Sequence, residues 1–185
     1  MEKILVSACL LGARVRYHGG DAACDHLILR GWAAEGRLIA VCPEQEGGLP
    51  TPRPPAEIVP TSPDRTPARP GRGPSHTTPD VGAGGRAVIA RTAHVRTAAG
   101  DDITADFCRG AHRALDVARQ HNIRIAVLKD ESPSCGSTGV FDGSFSGTRV
   151  AGVGVTTALL EAHGVRVFNE TQLESAREWL ERVER

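Results

Sequence analysis

The segment IRIAVLKDESPSCG, at residues 123–136, carries the clearest indication of the fold. Its first residues are mostly apolar, and serine, proline and glycine follow close behind. A short apolar run that is bounded by turn-forming residues is typical of a buried β-strand. We therefore predict a strand over residues 123–128, which leads into a polar loop that carries Cys135.

The same arrangement of an apolar run followed by a cysteine occurs twice more. Residues 3–8 predict a first strand that leads into Cys9, and residues 38–42 predict a second strand that ends at Cys42. In an open parallel sheet, ligands bind beyond the carboxyl ends of the strands. We therefore expect the three thiols to converge on one point. There they can hold an iron–sulfur cluster or a zinc ion and leave one metal position open for a substrate.

Helical and strand patterns alternate along much of the chain. The predicted helices span residues 24–34, 101–120 and 154–163, a last strand spans 165–168, and a final helix follows to about residue 183. Strands that alternate with helices indicate parallel βαβ units. We therefore predict an α/β fold, in which one compact domain over residues 1–185 contains a mostly parallel sheet flanked by helices in a Rossmann-like arrangement.

The middle of the chain has a less regular pattern. Residues 47–60 predict an extended, mostly irregular segment, and residues 87–90 and 93–97 predict small strands or an extended lead-in to the next helix. Residues 60–85 are dense in Pro, Gly, Ser, Thr and Arg and lack apolar periodicity. Such a composition cannot bury enough apolar surface to order itself. We expect a flexible surface insertion there, within the single domain.

Composition narrows the classes of partner and compartment. The 22 basic and 22 acidic side chains balance, which argues against a general electrostatic grip on polymeric nucleic acid or on an anionic membrane. The chain has no apolar stretch long enough to cross a bilayer, and its start lacks the apolar region of a signal peptide. We expect a cytoplasmic protein, in which cysteines remain reduced.

The five cysteines suit metal or catalytic roles better than a disulfide framework, because their number is odd and a cytosolic chain keeps its thiols reduced. Cys24 and Cys108 lie in predicted helices, and we expect them to serve packing. The spacings are long and lack the paired C-x-x-C of common zinc ribbons, so spacing alone leaves the metal open. The missing C-x-x-C pair also argues against a thiol-based redox protein.

Short motifs spread over nearly the whole chain resemble, in order, those of the DUF523 family. They are SACLLG at 7–12, VRY at 15–17, CPE at 42–44, GL at 48–49, PRPPAE at 52–57, GA at 110–111, LK at 128–129, SPSCG at 132–136 and GVG at 152–154. The resemblance implies a 4Fe–4S cluster held by Cys9, Cys42 and Cys135. It also implies an enzyme, a desulfidase that removes sulfur from a thiolated pyrimidine by non-redox hydrolysis and yields the uracil form and sulfide. Glu44 matches the catalytic acid/base and Ser132 a catalytic serine.

The substrate implied by the resemblance is a thiouracil base or a thiouridine nucleotide, and the residues leave both open. Arg53, Tyr17 and Lys129 are the candidate substrate contacts, since cationic groups match phosphate and Tyr17 lies in the loop after Cys9. The glycine turn at residues 152–154 is a weaker phosphate candidate than a simple tight turn. The alternative function is a non-catalytic, metal- or cluster-binding structural or regulatory module. The oligomeric state is also open.

Overall fold

The computed structural model describes residues 1–61 and 84–185. The strands in this part of the chain are β1 (Ile4–Ser7), β2 (Leu38–Val41), β3 (Ala56–Pro60), β4 (Ala93–Thr97), β5 (Ile125–Leu128), β6 (Gly139–Phe141), β7 (Arg149–Ala151) and β8 (Arg166–Asn169). The helices are α1 (Leu27–Ala34), α2 (Pro43–Glu46), α3 (Gly84–Ile89), α4 (Thr104–Gln120), α5 (Val155–Ala162) and α6 (Leu173–Val183). No helix among these is long and apolar enough to cross a membrane.

A parallel sheet with strand order β2-β1-β5-β8 forms the centre of the described structure. Its middle strands, β1 and β5, are buried along their whole length. Continuous apolar runs form such strands, because helices cover both faces of a parallel sheet. The predicted α/β fold with a mostly parallel sheet flanked by helices is therefore confirmed. Two antiparallel pairs, β3 with β4 and β6 with β7, lie outside this sheet.

Alternation along the strands divides the core into two layers. Ile4 and Val6 pack with side chains of α1 and α6, including Trp32. Leu5 and Leu128 pack on the opposite side, with side chains of α4 and α5. Successive residues of a strand point to opposite faces, so the apolar runs of β1 and β5 serve both layers. Each layer is a separate hydrophobic cluster, and the sheet lies between them.

The order of the strands places a crevice at one edge of the sheet. From β1 the chain passes to β2 on one side, whereas β5 pairs with the other side of β1. Ligand sites in open α/β sheets lie at such a switch point, beyond the carboxyl ends of the strands. Cys9 lies in a single 3-10 turn directly after β1, and Cys42 directly follows β2. Cys135 lies in the loop that follows β5.

The first turn of α5 holds the loop that carries Cys135. The backbone N–H groups of Gly154, Val155 and Thr156 donate to the carbonyl oxygens of Gly136, Pro133 and Ser134, at 2.7, 2.9 and 2.8 Å. In addition, the Thr157 hydroxyl donates to the Cys135 carbonyl oxygen at 2.8 Å. Helix N-termini leave such N–H groups without partners inside the helix. They serve the cysteine loop here, so the turn at residues 152–154 acts as a structural turn and not as a phosphate site.

A second close contact supports the segment that follows Cys42. Helix α2 begins immediately after that cysteine and packs against the middle of α4. A Cβ atom on Gly110 would overlap the Pro43 carbonyl oxygen, and one on Gly47 would overlap the Asp106 carbonyl oxygen. The two backbones approach so closely only because both positions are glycine. The packing fixes α2, and with it the position of the residues around Cys42.

The structure corrects several boundaries in the middle of the chain. The strand-like segment predicted at 87–90 belongs instead to helix α3, which packs against α5. Gly85 permits this contact, because a Cβ there would overlap the backbone of Gly154. The segment predicted as irregular ends in a regular strand, β3. Of the predicted insertion at 60–85, residues 62–83 lie outside the described residues.

Replacing Gly110 with alanine tests the contact between α2 and α4. We expect Gly110→Ala to destabilise the protein by about 1–3 kcal/mol, because overpacking forces backbone shifts. Gly31→Ala is the matched control, since Gly31 is exposed on α1 and its added Cβ would meet nothing within 4 Å. There the substitution should be neutral or stabilise by about 0.4–1 kcal/mol. Urea denaturation of both variants measures the difference, and equal midpoints would refute the contact's importance.

Candidate functional site

A cavity of about 470 Å³ lies at the carboxyl edge of the central sheet. Its volume is in the range of about 300–1,000 Å³ that small-molecule sites occupy. All the site residues predicted from the sequence line this cavity: Cys9, Cys42, Cys135, Glu44, Ser132, Arg53, Tyr17 and Lys129. The structure therefore brings the predicted ligands, acid/base groups and substrate contacts together in one place.

The three cysteines line this site, and they are close enough that the charge of one thiolate raises the pKa of another. Cys9 and Cys135 are buried, at 8% and 6% exposed, and Cys42 is half-buried. Burial raises the pKa of the Cys9 thiol to about 11, with a further contribution from Cys42. Burial also raises the pKa of Cys135, and the charges of Glu44, Cys9 and Cys42 add to it. Without a bound metal, the thiols are therefore neutral near pH 7.

The other two cysteines lie away from the cavity. Cys24 packs against the hydrophobic layer of α1 and α6, and Cys108 packs against the layer of α4 and α5. Burial raises the pKa of both thiols. Cys108 lies in helix α4 as predicted, whereas Cys24 lies in the loop before α1 and not in a helix. Both thiols nevertheless pack against the core, in agreement with the predicted packing role.

Glu44 is held by Arg53, which also lines the cavity. The Arg53 guanidinium contacts Glu44 Oε2 through Nε at 2.7 Å and Nη2 at 2.6 Å. Its remaining contacts are with the carbonyl oxygens of Val15 and Pro50 and with the Thr51 hydroxyl. The Arg53 side chain is 5% exposed. Because the guanidinium is hydrogen-bonded to these protein acceptors, Arg53 positions Glu44. The predicted contact between Arg53 and the substrate stays a prediction.

Ser132 lies between Glu44 and the cysteine loop. Its hydroxyl accepts the backbone N–H groups of Ser134 and Cys135, at 3.1 and 3.2 Å. The same hydroxyl donates to Glu44 Oε1 at 3.4 Å. A serine that bonds to its own turn is a common loop feature. The additional bond to Glu44 is what couples this turn to the candidate acid/base group.

Lys129 is anchored at the end of β5 by neighbours from other strands. Its backbone N–H donates to the Ser7 hydroxyl at 2.9 Å, and its ammonium group forms an ion pair with Glu170.

The neighbouring Asp130 also lines the cavity. Burial opposes ionisation of Asp130, but hydrogen bonds from Thr138 and other donors outweigh that effect and lower the pKa of the carboxyl. Ser7 and Glu170 were not among the residues that the sequence pattern assigned to the site. Their signal was positional, since each lies at or just beyond the carboxyl end of a parallel strand.

The rest of the cavity combines an exposed aromatic ring with an apolar wall. Tyr17 is 42% exposed and contacts the His18 ring edge to face. The wall residues are Leu49, Ile103, Phe107, Phe141 and Phe145. Glu57, the last residue of the PRPPAE motif at 52–57, also lines the cavity. A cavity that combines apolar side chains with a few polar groups suits a small, partly polar ligand.

The sequence profile of the family described as 2-thiouracil desulfurase matches residues 4–172. The chain belongs to the 2-thiouracil desulfurase family. The resemblance indicated by the dispersed motifs is thus confirmed. The matched range begins at β1 and extends past β8, so it includes all the strands that carry the candidate site.

Two related proteins show how far this family likeness extends. The Bacillus subtilis (strain 168) protein named "Uncharacterized protein YbbK" is 38% identical over 170 residues, which cover 92% of this chain and 97% of that protein. A solved structure of the 4Fe-4S-dependent thiouracil desulfidase TudS (DUF523Vcz) is 44% identical, with a TM-score of 0.78. That match covers 98% of this chain and 99% of the other. The family's fold therefore extends over the chain as a whole.

The arrangement of the thiols bears on the kind of metal they suit. Within residues 1–61 and 84–185, no three His, Cys, Asp or Glu side chains are grouped so that they could hold a metal ion. Thiolates are the usual ligands of iron–sulfur clusters, so the three thiols that line the cavity suit such a cluster by ligand type.

The raised pKa of Cys9 predicts slow alkylation of the folded, metal-free protein. At pH 8 a thiol of pKa about 11 is roughly 0.1% thiolate, compared with about 10% for the ordinary value of 9.0. We expect iodoacetamide to modify Cys9 about 100-fold more slowly in the folded than in the urea-unfolded chain. The rate should rise as pH approaches 11. Peptide mass spectrometry measures it, and equal rates in both states would contradict the burial of this thiol.

Proposed function

We propose that the protein is an iron–sulfur-dependent desulfidase that hydrolyses the carbon–sulfur bond of a thiolated pyrimidine. The observation that carries the proposal is one cavity lined by Cys9, Cys42, Cys135, Glu44 and Ser132. Membership of the 2-thiouracil desulfurase family supports it, as does the 44% identity to a 4Fe-4S-dependent thiouracil desulfidase. The substrate is a thiouracil base or a thiouridine nucleotide, and the products are the uracil form and sulfide.

In this proposal, Cys9, Cys42 and Cys135 hold a 4Fe–4S cluster. The residues fit it, because thiolates are the usual cluster ligands and these thiols lie together at one edge of the sheet. When bound, a cluster with three protein ligands supplies an open, soft metal position that attracts the sulfur of the substrate. The thiols must lose their protons to bind iron, and their pKa values are raised. Cluster loading is therefore expected to release protons and to be favoured by higher pH.

Glu44 acts in this scheme as the general base. Arg53 engages Glu44 Oε2, which leaves Oε1 on the side of Ser132. The carboxylate takes a proton from a water molecule as the water oxygen bonds to the thiocarbonyl carbon. The carbon–sulfur bond then breaks, and sulfide departs with the protons that the water supplied. Water and thiocarbonyl become carbonyl and hydrogen sulfide, so no oxidant or reductant is consumed.

Ser132 orients the groups around that carboxylate. Two backbone N–H groups bind its oxygen, and this leaves its own hydrogen directed at Glu44. A hydroxyl in that position can pass a proton between Glu44 and the substrate or hold the substrate's polar edge. Tyr17 and Lys129 line the same cavity and are the proposed contacts for the remainder of the substrate.

A non-catalytic cluster module is the alternative function. A structural metal site is closed, whereas here the thiols face a cavity large enough for a small molecule. The Glu44 carboxylate and the Ser132 hydroxyl also line this cavity, where they can act on a bound molecule. We further propose a cytoplasmic location, because cluster ligands must remain reduced.

Anaerobic reconstitution followed by a sulfide-release assay tests the proposed function. The reconstituted protein should contain iron and acid-labile sulfide and should release sulfide from at least one member of a panel of 2-thiouracil, 4-thiouracil and their nucleotides. The metal-free protein is the control and should release none. A protein that binds zinc and no cluster, or that carries the cluster but releases no sulfide from the panel, would refute the proposal.

Substituting Glu44 tests the assignment of the base. Glu44→Gln keeps the size of the side chain and removes its basicity, so sulfide release should fall by about 10²–10⁴-fold with an intact cluster. Glu46→Gln is the matched control, because Glu46 is an exposed residue of the same short helix outside the cavity lining. Initial rates and the iron content of each variant are measured. A Glu44→Gln variant with the parent rate would make Glu44 a bystander.

Replacement of Cys135 tests the ligand set. Cys135→Ser should lose or degrade the cluster, because a neutral hydroxyl is a far poorer ligand for iron than a thiolate. Cys108→Ser removes a thiol of the same chain that packs outside the cavity and should keep the full iron content. Iron and acid-labile sulfide per chain, with the visible absorption spectrum, distinguish the two. Equal cluster content in both variants would overturn the assignment.

A further inference from the structure

We propose that Glu57 recognises a ring N–H group of the substrate and thereby selects pyrimidines that carry that hydrogen. The inference rests on the proposed function, since it assigns the base-recognition residue of the same cavity. Glu57 lies on β3, which is outside the central parallel sheet whose strand ends carry the cysteines. It would contact the substrate directly and determine specificity, while Glu44 and Ser132 serve the chemistry.

The environment of Glu57 is that of a buried carboxylate with one oxygen left for a ligand. The residue is 8% exposed and lines the cavity. Oε2 accepts the backbone N–H of Phe145 at 3.0 Å. Within the described residues, Oε1 receives no hydrogen bond and no lysine, arginine or histidine forms an ion pair with the group. No side-chain oxygen of the described residues is both fully buried and without a partner. The unbonded Oε1 is therefore accessible in the cavity that Glu57 lines, where a donor of a ligand can reach it.

The chemistry of the cavity indicates what that donor is. Phe107, Phe141 and Phe145 belong to the apolar wall, which suits the faces of a flat heterocycle. An ionised carboxylate only accepts hydrogen bonds, and its bonds to N–H donors are among the stronger ones. Thiouracil offers ring N–H groups beside its thiocarbonyl. 2-Thiocytosine keeps an N1–H but has an unprotonated N3, so at its N3 edge it would present an acceptor to the carboxylate, which is unfavourable.

Glu57 also holds a loop, and the test must separate that role from recognition. The Phe145 N–H that it accepts belongs to the turn between β6 and β7, and Gly143 of that turn packs against the backbone of Ile58 on β3. Glutamine keeps a side-chain oxygen for the Phe145 N–H but replaces the charged oxygen with an amide. Glu57→Gln therefore preserves the loop contact and removes the charged acceptor that faces the cavity.

Binding of uracil and its N-methyl derivatives to the reconstituted protein tests the inference. Uracil lacks the sulfur that reacts, so calorimetry measures recognition without turnover. The parent should bind uracil about 10- to 100-fold more tightly than 1-methyluracil or 3-methyluracil, whichever lacks the recognised hydrogen, because a hydrogen bond to a charged group is lost. Glu57→Gln should reduce that ratio to within about threefold, mainly by weakening uracil binding. Glu178→Gln, an exposed change on α6, should keep the parent ratio.

Two outcomes would overturn the inference. One outcome is that the parent protein binds uracil and both methyluracils equally, a result that can be obtained without any variant. The other is a Glu57→Gln variant that keeps the parent ratio, since discrimination would then come from the size of the methyl group. Glu57→Asp serves if the glutamine variant does not fold, and should weaken uracil without weakening the methylated ligand. Sulfide release is scored separately, so a protein that discriminates by Glu57 without desulfurating refutes only the proposed function.

Discussion

The parallel pairing of β1 with β2 on one side and β5 on the other is the constraint on which the rest of the structure depends. It aligns Ser7 with Val41 and Val6 with Val127, so the three strands end at the same edge. The residues just past those ends are then neighbours, although Cys135 lies more than a hundred positions after Cys9 in the sequence. A slip of one residue would turn every side chain to the opposite face. Burial of both faces makes such a slip expensive, and the strand ends therefore stay in register.

Loops at strand ends are usually the mobile part of an α/β protein, and here helix termini hold them. The first turn of α5 binds three carbonyl oxygens around Cys135. Helix α2, which begins after Cys42, is fixed by its glycine contact with α4 at Gly110. Both supports act through backbone atoms. The glycines beside the cysteines are thus structural requirements of the site, because any side chain at Gly110 or Gly154 would push the supporting helix away.

The titratable groups of the cavity have separate functions. Burial and the charges of neighbouring cysteines raise the pKa values of the Cys9 and Cys135 thiols. Raised pKa values suit groups that release protons when metal binds. Glu44 is paired with Arg53, which holds the carboxylate in place at the cavity wall. Among the described residues Glu57 has no such cation, and it accepts a backbone N–H instead. Glu44 and Glu57 therefore have different partners, and we assign them different tasks, proton transfer for Glu44 and recognition for Glu57.

The sequence by itself determined the α/β class, the three strands that precede the cysteines and the family, because these are recorded in short apolar runs and local motifs. It also pointed to eight side chains that now prove to line one cavity. Only the tertiary structure decided that residues 84–89 form a helix, that Arg53 serves Glu44, that Glu57 lines the cavity and that Glu170 pairs with Lys129. Those features depend on contacts between residues distant in the chain. Helix α3, for example, forms where Gly85 meets Gly154, a contact that no local pattern contains.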